Sequence, residues 1–112
     1  MSDTVIKIVQ GDSAPQIIRV FKDGERLNIT GYTFNFTVKK KVTDTDDDAV
    51  IKIDWSSHTD PLQGQTLLDI PPSATKNLEP GKYVFDIQFK NGGNVTTVCF
   101  GTLIIIAEVT RR

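Results

Sequence analysis

The chain has 112 residues, with 13 basic and 14 acidic side chains and a formal charge of -1, so no net positive field draws it to nucleic acid or anionic lipid. That length suits one domain, expected over residues 1–112, which can bury roughly two-thirds of its unfolded surface without disulfides. Cys99 is the sole cysteine, excluding an internal disulfide and any zinc site built on paired cysteines.

The opening "MSDTVIKIVQGD" has no basic stretch followed by an apolar run, so it does not read as a secretory signal, and synthesis in a cytosol is expected. Without secretion, the triplets at Asn28, Asn35 and Asn94 carry no glycosylation meaning. The longest apolar run, "LIIIA" at 103–107, is far shorter than the ~20 residues that cross a bilayer.

Val, Ile and Thr supply 35 of the 112 residues, and such branched side chains suit a pleated surface better than a helix. In chain order the strand candidates begin with "VIKIVQ" at 5–10 and "QIIRVF" at 16–21. The Asp23-Gly24 turn and Gly31 follow, leading into "TFNFTVK", where Phe34, Phe36 and Val38 share one face with period two. After "VIKID" at 50–54 come a turn with Pro61 and Gly64 and the strand "TLLDI" at 66–70. Pro71-Pro72 ends that strand, and "SATKNL" can make one helical turn before Pro80-Gly81.

In "KYVFDIQF", Tyr83, Phe85, Ile87 and Phe89 alternate with Lys82, Asp86 and Gln88 and should be buried beside Phe34, Phe36 and Val38. Tyr83 fits either a tyrosine corner, its hydroxyl bonded to backbone upstream, or an ordinary core position. Gly92-Gly93 is a hairpin pair leading into the last strand, "VTTVCFGTLIIIAEV" at 95–109. Gly101 within it is expected to mark a bulge, turning Val98 and Phe100 inward and shifting the facing register beyond. The fold expected is all-β, an immunoglobulin-like sandwich of about seven antiparallel strands.

Chemistry-bearing residues are sparse. Asp44, Asp46, Asp47 and Asp48 follow Lys39, Lys40 and Lys41. Read from Asp44 as an EF-hand loop, the run has Ala49 where the sharp turn needs glycine and Trp55 where the bidentate glutamate belongs. A solvated turn with local ion pairing between strands is expected, with no metal held tightly. His58 lies too close in sequence to Ser56, Ser57 and Asp60 for a catalytic triad, whose members normally converge from separate segments. Cys99 has no charged neighbour in sequence to activate its thiol. Neither phosphate-loop, dinucleotide nor HExxH motif occurs. No catalytic residue, metal ligand or cofactor is therefore assigned.

The series "GDSAPQIIRVFKDGERLNITGYTFNFTVKKKVTDTDDDAVIKI" followed by "QGQTLLDIPPSATKNLEPGKYVFDIQF" resembles the N-terminal immunoglobulin-like domain of tailed-phage baseplate upper proteins and related small phage tail proteins. The features that carry the resemblance are the "GD" before the second strand, the "DG…L…TGYT" turn, the lysines leading into "TDTDDDAVI", and "LEPGKYVFDI". It implies a non-enzymatic module that docks on other virion proteins of the tail or baseplate, or on a second copy of itself, with neither nucleic acid nor membrane as partner. In that family a longer C-terminal part carries receptor-binding machinery, whereas this sequence runs only to "EVTRR", so assembly alone is expected. A virion protein made in the host bacterial cytoplasm follows. The rival reading is a carbohydrate- or calcium-binding adhesive module that uses Trp55 and Asp44 to Asp48.

The candidate interface is Leu103, Ile104, Ile105 and Ile106 with Trp55. A half-exposed strand should alternate, yet 103–107 offers no polar position for a wet face. Either another part of the chain covers the second face, or that face docks a partner.

Overall fold

The computed structural model describes residues 3–109. The chain forms an all-β sandwich with strands β1 (Asp3–Val9), β2 (Ala14–Arg19), β3 (Phe21–Lys22), β4 (Glu25–Arg26), β5 (Thr33–Lys39), β6 (Ile51–Trp55), β7 (Gln65–Ile70), β8 (Gly81–Asn91) and β9 (Asn94–Ile106). The seven long strands lie where the alternation places them. The two-residue pair β3–β4 is additional, closed by a turn in which Asp23 and Gly24 both adopt positive φ, of 55° and 81°. One helical turn, α1 (Pro72–Thr75), follows Pro71 as expected.

The sandwich is lopsided. One sheet has five strands in the order β1-β9-β8-β5-β6, and the facing sheet has only β2 and β7. All neighbours in the large sheet are antiparallel except one: β1 runs parallel to β9, from Asp3↔Phe100 to Val9↔Ile106. A uniformly antiparallel sandwich is therefore the wrong topology at that edge. The chain passes from the large sheet to the small one at 10–13, so β1 and β2 cannot pair as a hairpin.

The core lies between the sheets. Phe34, Phe36 and Val38 of β5, Tyr83, Phe85, Ile87 and Phe89 of β8, and Leu68 and Ile70 of β7 are all buried. Each such side chain contributes ~1.5–3 kcal/mol by leaving water. The Tyr83 hydroxyl donates to the Glu79 carbonyl at 2.7 Å, which settles the tyrosine corner, and burial raises the pKa of this phenol. The segment after β7 is tied down from the other end of the chain. The Gly11 N–H donates to the buried Thr75 hydroxyl at 3.0 Å, and the Gln10 amide donates to the Leu78 carbonyl at 2.7 Å.

The register of β9 corrects the expectation at Gly101. The irregularity falls between the pairs Ile87↔Cys99 and Gln88↔Thr97, so Val98 is the extra residue and Gly101 pairs regularly with Phe85. Glycine is needed at 101 for another reason: a Cβ there would run into the Thr4 carbonyl of β1. Phe100, expected inside, consequently points to the outer face and is 42% exposed.

Candidate interaction surface

The faces of β9 separate cleanly. Leu103 and Ile105 are buried at 0% and 2% exposure, whereas Ile106 is 43% exposed and Ile104 half-buried. Of the four aliphatic candidates, Leu103 and Ile105 thus belong to the core, and Ile104 and Ile106 to the outer face of the five-stranded sheet. The N-terminal segment does not cover that face, because β1 pairs beside β9 in the same sheet.

Registers give the outer face row by row. Val9 stands beside Ile106, Lys7 beside Ile104 and then Lys82, and Val5 beside Thr102 and then Val84. Phe100 stands beside Asp86, with Thr37 and Lys52 beyond it. An apolar strip of Val5, Phe100, Ile104 and Ile106, flanked by Lys7 and Lys82, thus covers the β1–β9 side. The β5–β6 side is polar, with Asn35, Thr37, Lys52 and Asp54. A shallow cleft of about 750 Å³ crosses the boundary between the two.

One member of the acidic run, Asp46, lines this cleft. Lys39 Nζ lies 2.7 Å from Asp46 Oδ1, the local ion pairing expected from the sequence, and that hydrogen bond and charge hold the Asp46 carboxyl below its usual range. Two of the others bond within the loop: Asp44 accepts from the Lys41 N–H and Asp48 from the Thr45 hydroxyl, each at 3.2 Å. Among the described residues, no three imidazole, thiol or carboxylate groups are grouped as a cation would need. Asp86, on the cleft floor, is pushed up chiefly by burial, against the pull of Lys39 and with a further push from Asp46.

Trp55 is on the other face. It pairs in register with Phe34 on the inner side of β6 and stacks on that ring at 5.5 Å and 26°. Its Nε1–H donates to the Thr66 hydroxyl at 2.8 Å. The same oxygen lies 2.9 Å from His58 Nδ1, and His58 Nε2 lies 2.8 Å from the Tyr32 carbonyl. A carbonyl can only accept, so the network assigns the ring proton to Nε2 and makes Nδ1 the acceptor of the Thr66 hydroxyl. His58 also meets the Phe34 ring edge-on at 5.3 Å. These contacts close one end of the core; Trp55 does not join the outer strip, and the hydroxyl that meets His58, that of Thr66, is fully buried. Cys99 is half-buried, its Sγ 3.3 Å from the Thr4 hydroxyl.

Sequence reading missed Phe100 and Val5 as surface residues. The usable signal was Thr102: a polar residue two places from Phe100 and from Ile104 marks the phase that faces water.

No family model matches the chain, and no curated protein matches it in sequence. Its fold is similar to that of the N-terminal domain of phage TP901-1 ORF48, with a TM-score of 0.59 and 14% identity over 92% of this chain and 85% of that one. At that identity the likeness is one of fold alone.

Proposed function

We propose that the chain is a non-enzymatic structural module of a tailed-phage virion, made in the host cytoplasm and docking on a neighbouring tail or baseplate protein through the outer face of its five-stranded sheet. The carrying observation is that Val5, Phe100 and Ile106 are exposed on that face with Ile104 half-buried among them, because clustered exposed apolar side chains mark interaction sites. The likeness in fold to a phage protein's N-terminal domain supports the virion setting, as does the resemblance carried by the sequence motifs. The adhesive reading would draw on Trp55 and the acidic run, but the Trp55 indole N–H is engaged within the chain and Asp46 is paired with Lys39.

Mass spectrometry of particles purified from the source phage should find the chain in the virion. Introduced there, Ile104→Lys should leave the isolated chain folded by circular dichroism while abolishing its incorporation. Normal incorporation of the variant, or absence of the wild-type chain from particles, overturns the reading.

A further inference from the structure

The outer edge of β6 presents a second surface, separate from the apolar strip. β6 ends the five-stranded sheet, and among the described residues its backbone pairs only with β5. An open edge is a template for another strand. Its sequence, Ile51-Lys52-Ile53-Asp54-Trp55, is symmetric in character about Ile53: a charge of opposite sign on either side, then a large apolar residue. Lys52 and Asp54 are both exposed on the outer face, and among the described residues neither forms an ion pair within the chain. Ile53 and Trp55 pack only partly against the core, and each keeps accessible surface on the inner side of the edge.

We infer that β6 pairs with β6 of a second copy of this chain, antiparallel and centred on Ile53, to form a two-fold dimer with a continuous ten-stranded sheet. Antiparallel pairing about Ile53 sets Lys52 opposite the partner's Asp54 and Asp54 opposite the partner's Lys52, while Ile51 meets the partner's Trp55. A two-fold axis perpendicular to the sheet keeps each face on its own side, so both ion pairs fall on the outer face, while on the inner face the half-buried Ile53 and Trp55 gain cover from the partner. Such an interface is isologous and closes at two subunits. Opposite charges directly across an antiparallel pair stabilise it, and like charges there destabilise it.

Neither β1, at the opposite end of the same sheet, nor β2 is self-complementary in this way. β1 carries Lys7 as its only charge between Thr4 and Val9, and β2 contains Pro15, which removes a backbone donor. The occupant of the β6 edge is thus specified by charge and register together.

Sedimentation of the 112-residue chain over a range of concentrations tests the pairing. A reversible monomer–dimer equilibrium is expected, weakening with added salt. Lys52→Asp replaces both attractive pairs with carboxylates facing carboxylates and should weaken the dimer ~10-fold or more. The exchange Lys52→Asp with Asp54→Lys restores opposite charges in the same register and should return dimerisation to near the wild-type level. Both positions are exposed, and circular dichroism checks that the variants fold. A chain that stays monomeric at millimolar concentration overturns the inference, as does a dimer indifferent to Lys52→Asp or an exchange variant as weak as the single one. A dimer lost on Ile104→Lys but kept with Lys52→Asp would move self-association to the outer face, refuting the β6 pairing while leaving the virion reading intact.

Discussion

Two loops flank β6, and both hold the residues that look most like chemistry in the sequence. The loop after it, 56–64, carries His58 and Gly64 and is tied to the core at several points: His58 bridges Thr66 and the Tyr32 carbonyl, and Gly64 accepts from the Val20 N–H at 2.8 Å. The loop before it, 40–50, carries four aspartates; apart from the Val50 N–H, which donates to the Val38 carbonyl at 2.8 Å where the strand begins, it reaches the sheet through the exposed Asp46, paired with a half-buried Lys39. The difference teaches that a polar side chain supports the fold when it lies where water cannot replace its partner, and does little where water can. His58 and Thr66 are of the first kind, Asp46 to Asp48 of the second.

The contrast can be broken most severely at Gly64. It sits at φ 69°, and a Cβ there would lie 2.5 Å from the Leu27 carbonyl oxygen and 2.6 Å from that of Val20. Gly64→Ala should therefore cost about 3 kcal/mol, combining left-handed strain with a backbone collision. Urea unfolding reads this directly, and a loss under about 1 kcal/mol would mean that the loop is not clamped between those two carbonyls.

A sharper probe is Thr66→Val, which keeps the shape and removes only the hydroxyl that Trp55 and His58 share. With Thr66 fully buried, the loss should be ~1–3 kcal/mol, because two ring nitrogens lose their partner at once. An unchanged unfolding midpoint would show that water replaces the hydroxyl and that this end of the core is wet.

The smallest effects are expected at Asp46 of the acidic loop and at Asp86 of β8 beneath it, and the two are opposite in sign. Lys39 lowers the Asp46 carboxyl, so its stabilisation is complete above the usual carboxylate range and is lost as pH falls through the lowered value. Asp46→Asn should accordingly leave the thermal midpoint at neutral pH almost unchanged. Burial raises Asp86, so ionising it as pH rises works against the fold. Asp86→Asn should give a slight stabilisation at pH 7 that disappears in acid, where the wild-type carboxyl is protonated in both states. Melting curves at pH 7 and pH 3 check both variants; a destabilised Asp86→Asn at pH 7 would mean that the Gln88 amide, 3.4 Å from the carboxylate, and the Lys39 charge together outweigh burial.

Much of this molecule was legible in its residues. Period-two alternation in β5 and β8 placed Phe34, Phe36, Phe85 and Ile87 inside, and turn chemistry marked a turn at Asp23-Gly24 and a hairpin at Gly92-Gly93, because side-chain direction and positive φ are local properties of the chain. The candidate surface was half legible. The run 103–106 announced that two apolar faces exist, but four aliphatic residues in a row contain no phase, so which pair faces water could not be read from them.

Tertiary structure decided the rest, for reasons of contact across long sequence separations. β1 lies parallel against β9, and the Thr4 backbone leaves no room for a side chain at 101; the bulge therefore falls at Val98, Phe100 turns outward, and Leu103 and Ile105 turn inward. Trp55 became a core-closing residue because β7 brings Thr66 beneath its indole nitrogen. Strand identity, turn positions and the apolar set follow from the sequence by itself, since each depends on residues a few places apart. Facing, register and which apolar residues remain exposed depend on which strand arrives beside which, and that is settled only when the whole chain closes on its core.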